Sequence, residues 1–165
     1  MGVVADADRR RGRADRPEPT GRAKRGAKYH LLVDAHGLPL NVAVSGANRH
    51  DSMLVEPILD SMAVIRRRGR GHPSRRPAKL HADKGYDNPR VRRYLRRRGI
   101  TTRIARIGRD SGQRLGRHRW VVERTLGWVL SHKRLALRYD RTTLTINAPA
   151  RLAGTLICAR RLPTN

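Results

Sequence analysis

An α/β layer architecture, a mixed sheet flanked by helices, is the fold class that this 165-residue sequence predicts. Three observations predict it. A strand hairpin opens the ordered part of the chain, strand-like and helix-like segments alternate after it, and helix start and stop residues fall at the boundaries between them. The hairpin is read from Tyr29-His30-Leu31-Leu32-Val33, the turn Asp34-Ala35-His36-Gly37, and a second strand from Leu38 to Ser45. In that second strand Leu38, Leu40, Val42 and Val44 recur at period two, the spacing that puts them on one face of a strand.

A helix is predicted to open at Asp51-Ser52, with Leu54, Ile58, Leu59 and Met62 on one side and Pro57 kinking its second turn. Residues 66–78 hold too much Arg, Gly and Pro for regular structure and read as a basic loop. Lys79 to Ala82 reads as a short strand ending at Asp83. Asn88 before Pro89 has the pattern of an N-cap with proline at the first helical position, and Gly99 supplies the stop. A strand from Ile100 to Ala105 follows, then an amphipathic helix from about Arg117 to Lys133 and a last helix from about Ala148 to Leu162 carrying Leu152, Leu156 and Ile157. Trp120 and Trp128, two helical turns apart, are expected in the core. Residues 1–25, rich in Arg, Asp, Gly and Pro, read as an irregular basic arm or the remnant of upstream sequence, and 26–165 as the folded domain.

Charge narrows the function. Lys and Arg number 38 against 13 Asp and Glu, a formal net charge of +25. A compact chain so charged repels itself, and a polyanion relieves the repulsion. Nucleic acid is the leading partner, because each cation that neutralises a phosphate releases a condensed counterion. Cys158 is the sole cysteine, which rules out an internal disulfide and a cysteine-based zinc site. No apolar run approaches the roughly 20 residues that span a bilayer, and the chain is expected in the cytoplasm.

Acidic residues are few enough to question singly. Asp34 suits a hairpin turn, Asp87 a helix start, and Glu56 and Asp60 the exposed side of a helix. Asp83 and Glu123 stand out. Asp83 closes a strand, at the edge where open α/β sheets bind ligands. Glu123 lies on a helix between Arg119 and Arg124. Such a pair of carboxylates can hold divalent cations for phosphoryl transfer. The structural alternatives stay open: Asp83 as the cap of the following turn, and Glu123 as an i,i+4 partner of Arg119.

Five motifs stand in order along the chain: 26–34 (Gly26-Ala27-Lys28-Tyr29-His30 to Asp34), 45–52 (Ser45 to Ser52, with Asn48, His50 and Asp51), 81–87 (His81-Ala82-Asp83-Lys84-Gly85-Tyr86-Asp87), 115–125 (with Arg119 and Glu123) and 133–139. Together they resemble the catalytic half of insertion-sequence transposases of the Asp-Asp-Glu type. The resemblance implies a ribonuclease-H-like fold and an enzyme that cuts and rejoins DNA at the element's terminal inverted repeats. It also implies two Mg²⁺ ions, with Mn²⁺ able to substitute, on three carboxylates. Asp83 matches the family's second aspartate and Glu123 its glutamate, with Arg119 the accompanying arginine. Asn48, His50, Lys84 and Arg119 are the DNA contacts so implied. A nucleoid location follows, and a homo-oligomer is compatible with it. The first aspartate has only weak counterparts in Asp6 or Asp8, with Val3-Val4-Ala5 as a vestigial strand. Leu130 stands where many relatives carry a basic residue. The chain is therefore read as an N-terminally truncated or decayed copy whose sheet is incomplete at the first strand. The reading from a different class is a basic DNA-binding protein without catalysis.

Overall fold

The computed structural model describes residues 2–9, 27–65, 72–106, 116–132, 135 and 142–161. Five strands make one mixed sheet: β1 (Gly2–Arg9), β2 (Ala27–Val33), β3 (Pro39–Gly46), β4 (Lys79–Ala82) and β5 (Thr101–Ile104). They lie in the order β3-β2-β1-β4-β5. The first three pair antiparallel, and β1–β4 and β4–β5 pair parallel. Among the described residues the α-helices are α1 (Val55–Asp60), α2 (Pro89–Arg97), α3 (Gly116–Ser131) and α4 (Thr143–Ala159), beside a helical Leu135. The expected mixed sheet flanked by helices is present. Its expected gap at the first strand is not, because Gly2–Arg9 forms the central strand of the sheet. The irregular arm foreseen for residues 1–25 therefore begins with a strand; residues 10–26 lie outside the described part.

Alternation along β2 divides its residues between the two faces of the sheet. Ala27, Tyr29, Leu31 and Val33 pack toward α3 and α4, in a core with Val122, Val129, Ile146 and Ala150. Leu32 faces the other way, toward Ile58 and Leu59 of α1 and Val91 and Leu95 of α2. Both faces are covered, which is why Leu31, Leu32 and Val33 are apolar in succession and why His30 is buried. Each fully buried Leu or Ile contributes about 1.5–3 kcal/mol through apolar area removed from water.

The hairpin turn forms as its residues dictate: Asp34 Oδ1 accepts from the amides of His36 and Leu38, both at 2.8 Å. Asn88 caps α2 by accepting from the Arg90 amide at 2.9 Å, Pro89 follows, and Gly99 at φ 63° ends the element. The segment at Asp51 differs from the predicted helix. Asp51–Leu54 is a 3-10 turn, and Pro57 falls in the first turn of a six-residue α1, where its missing N–H has no intrahelical partner. No second-turn kink is needed. Of the basic loop, residues 66–71 lie outside the described part, and an isolated bridge joins Ile65 to Ser74.

The last helix begins at Thr143, earlier than its sequence suggested, because Thr142 caps it through the Thr145 amide at 3.2 Å. Pro149 sits inside it. α4 also shields the edge strand β3: Asn147 Oδ1 accepts from the Val44 amide at 2.9 Å and the Cys158 thiol donates to the Pro39 carbonyl at 3.3 Å. A free strand edge is a template for unwanted pairing, and here side chains occupy part of it. Burial pushes the Cys158 thiol pKa up, which keeps it protonated and unreactive.

Candidate active site

The parallel pair β1–β4 defines the edge where the site is sought. Its register runs Gly2–Leu80, Val3–His81, Val4–Ala82, so one further step brings Ala5 level with Asp83. Asp83 is extended and opens the 3-10 turn Lys84–Tyr86, with its Oδ1 accepting from the Gly85 amide at 2.9 Å. The capping role foreseen as the structural alternative is thus real, and it fixes the carboxylate at the strand's end.

Gly85 stands between two carboxylates. A Cβ there would lie 3.1 Å from Asp83 Oδ1 and 3.1 Å from Asp51 Oδ2. The two acids therefore approach within about 6 Å around a position that only glycine leaves open. Asp51 also receives the Lys28 ammonium at 2.9 Å, both side chains being less than a fifth exposed. Sequence reasoning used Asp51 only as a helix opener and gave Lys28 no role. The signal was available in the 45–52 motif, whose polar residues needed a purpose beyond a turn.

His50 sits just before. Its Nδ1 accepts from the Ser52 amide at 3.3 Å and lies 2.8 Å from Ser52 Oγ, capping the 3-10 turn that carries Asp51. Asn48, Arg49 and His50 are exposed. Beneath them His30 is fully buried between two hydroxyls, Nε2 at 2.9 Å from Ser45 Oγ and Nδ1 at 3.3 Å from Tyr86 Oη. Burial pushes its pKa down to about 4, against the opposing pull of Asp51 and with help from Lys28 and Arg49. It is a neutral imidazole at pH 7.

Glu123 is exposed on α3, the helix that packs on β1 and β2. Among the described residues no three or more His, Cys, Asp or Glu side chains converge to hold a metal ion. Glu123 is thus not a third member beside Asp51 and Asp83 in that set. The side chains of β1, and with them Asp6 and Asp8, lie outside the described residues, as does that of Arg119. Lys84 is half-buried in the turn after Asp83.

Next to Glu123, α3 is pinned to the hairpin. Arg124 donates to the His36 carbonyl at 2.8 Å and Thr125 Oγ1 to the Gly37 carbonyl at 2.7 Å. The Arg124 guanidinium lies over Trp120 at 4.5 Å and Trp128 at 4.8 Å, and Arg161 covers Trp128 at 4.0 Å. The expectation of a core Trp120 is corrected: it is 51% exposed, because the stack with Arg124 runs along the outer side of the helix. Trp128 is partly buried against the core.

The donor set suits a hard divalent cation. Mg²⁺ takes carboxylate oxygens and fills its shell with water and phosphate, and Asp83 presents such a carboxylate just past the end of β4.

Residues 2–147 match the family described as "Transposase DDE domain". A protein of Burkholderia cepacia, assigned as the transposase of insertion sequence element IS402, is 44% identical over 142 residues, covering 86% of this chain and 67% of that protein. The catalytic core domain of BIV integrase superposes with a TM-score of 0.50 at 12% identity, covering 99% of this chain and 85% of its own. That likeness is one of fold. With a central β1, the sheet order β3-β2-β1-β4-β5 and this kinship, the chain belongs to the DDE transposases: it is a DNA transposase catalytic domain on a ribonuclease-H-like fold.

Proposed function

We propose that this domain cuts DNA at the terminal inverted repeats of its element and joins the freed ends to new DNA, with Asp83, Glu123 and Asp6 as the carboxylates that hold divalent cations. The observation that carries this reading is the parallel register of β1 on β4. Extended by one residue it sets Ala5 level with Asp83, and Asp6 is the next position, midway along β1 and just beyond the carboxyl end of β4. Asp8 lies two residues further on, paired with Lys28. The register thus favours Asp6 over Asp8 as the first aspartate and argues for an active site rather than a decayed one.

Mg²⁺, or Mn²⁺ in its place, when bound would polarise the scissile phosphate and make a water or a 3′-hydroxyl a better nucleophile. The chain's own residues do the rest. Asp83 is held in place by the Gly85 amide, and Lys28 offsets the charge of Asp51 beside it. Asn48 and His50, exposed on the neighbouring turn, together with Lys84 and Arg119, are proposed to contact the DNA backbone; such contacts position the duplex and carry little sequence information. Glu123, on the helix that packs on β1, would supply the third carboxylate. No helix among the described residues is long and apolar enough to cross a membrane, and we place the protein on the nucleoid, acting as a homo-oligomer that holds two ends.

The test is strand cleavage of a duplex carrying the element's ends, in Mg²⁺ or Mn²⁺, with Asp83→Asn, Glu123→Gln and Asp6→Asn. Each variant is expected to lose at least about 100-fold in rate, as losses in a metal site's coordination do, while retaining salt-dependent DNA binding. Cleavage persisting in both the Asp83 and Glu123 variants overturns the reading. Binding without any metal-dependent cleavage by the parent chain favours the non-catalytic DNA binder instead.

A further inference from the structure

The buried imidazole of His30 has no part in the chemistry proposed above, yet it lies beneath all of it. His30 is 0% exposed, Tyr86 0% and Ser45 3%. Three polar side chains in a core must satisfy one another, and a well-packed apolar set would stabilise the fold at least as well. What the polar set supplies is direction. Ser45 Oγ also reaches the Gly46 carbonyl at 3.4 Å, to which its hydroxyl donates. Each ring nitrogen of His30 thus has one hydroxyl partner, Nε2 with Ser45 and Nδ1 with Tyr86.

Each partner leads to a different part of the site. Tyr86 ends the 3-10 turn that opens at Asp83. Ser45 stands near the end of β3, just ahead of the turn that delivers His50 and Asp51. His30 itself is the register partner of Asp6 on β1.

We propose that His30 is a positioning residue of the transposase centre, which through its hydrogen bonds to Tyr86 and Ser45 sets the Asp83 turn against β1 and the Asp51 segment and so fixes the spacing of the carboxylates. The proposal rests on the reading of Asp83 as a cation ligand. His30 touches neither DNA nor cation; it acts through Tyr86.

Tyr86→Phe removes one hydroxyl and keeps the ring, so it tests the bond with little change of packing; His30→Leu removes both bonds. The full chain is titrated with Mn²⁺ alone, following free Mn²⁺ by electron paramagnetic resonance, and cleavage is measured for kcat and KM. Tyr86→Phe is expected to raise the Mn²⁺ Kd about 10-fold, the lower end of what partners of metal ligands contribute. It should lower kcat by a similar factor and leave KM for DNA unchanged. Ile146→Val, in the core on the opposite face, should lower Tm without moving the Mn²⁺ Kd. A folded Tyr86→Phe with Mn²⁺ Kd and kcat within twofold of the parent overturns the proposal, provided Asp83→Asn loses Mn²⁺. If Asp83→Asn binds Mn²⁺ as the parent does, the cation-ligand reading has failed, and the positioning role falls with it.

Discussion

Protonating His30 should cost the fold stability at mildly acidic pH. In the folded chain its pKa is pushed from 6.5 to about 4 by burial, with Asp51 pulling it up and Lys28 and Arg49 pressing it down. The unfolded chain takes up a proton as pH falls through 6.5, whereas the folded chain refuses it until about 4. The stabilisation is therefore complete above pH 6.5 and is lost progressively as pH falls toward 4. At about 1.36 kcal/mol per pH unit the full loss is roughly 3 kcal/mol, of which about 2 kcal/mol has gone by pH 5. Full burial of the ring leaves little solvent screening to reduce this. Urea unfolding of the parent and of His30→Gln at pH 7.5, 6.0 and 5.0 isolates the effect, because other titrations cancel in the difference. The stability gap between the two should change by about 2 kcal/mol from pH 7.5 to pH 5. Parallel curves, agreeing within about 0.5 kcal/mol, would refute a neutral buried imidazole.

Three further outcomes follow from other parts of the molecule. Arg124→Met leaves the His36 carbonyl without its donor and removes a cation from between two indoles, so unfolding should show a loss of about 2 kcal/mol. Arg124→Lys should recover little of it, since an ammonium cannot stack as a plane. On α2 and its C-cap, Arg90, Arg92 and Arg98 are engaged by Glu56, Asp87 and Asp60, while Arg93, Arg96 and Arg97 are exposed and form no ion pair among the described residues. Replacing those three with Gln should flatten the salt dependence of duplex binding by about 3 in log–log slope if each meets a phosphate, as anisotropy titrations would measure. Gly85→Ala forces a Cβ against both Asp51 and Asp83; it should weaken Mn²⁺ binding in a direct titration while shifting Tm little.

Local rules recovered most of the fold because most of it is locally encoded. The Asn88-Pro89 start and Gly99 stop of α2, the Asp34 turn and the period-two run of β3 need only neighbours along the chain. The misread parts depend on partners far away. Gly2–Arg9 has almost no apolar periodicity to announce a strand; it becomes one because β2 and β4 bond it from both sides. The start of α4 was placed too late, at about Ala148, whereas Thr142 caps the helix and Asn147 within it is occupied with β3. Leu152 and Leu156, at 59% and 40% exposed, sit on the outer side of α4, while Ile146, Ala150, Ala153 and Ile157 face the sheet.

The site was legible to the extent that a scarce residue type draws attention. In so basic a chain Asp83 could be singled out by its place at a strand end. Asp51 could not, because an acid opening a helical turn already has a sufficient local explanation, and only the fold reveals that its other oxygen leans on Gly85 opposite Asp83. His30 was hidden for the converse reason: inside Tyr29-His30-Leu31-Leu32-Val33 it reads as one polar letter in an apolar run, and its two hydroxyl partners lie 15 and 56 residues away. Asp6 illustrates both difficulties. Its strand is silent in sequence, and its claim over Asp8 rests on a register that exists only once β1 and β4 are paired. A carboxylate site of this kind is assembled from strand ends, and strand ends are brought together by pairing across the sheet. Residue type can therefore nominate the acids one at a time, but which of them act together is decided by long-range register.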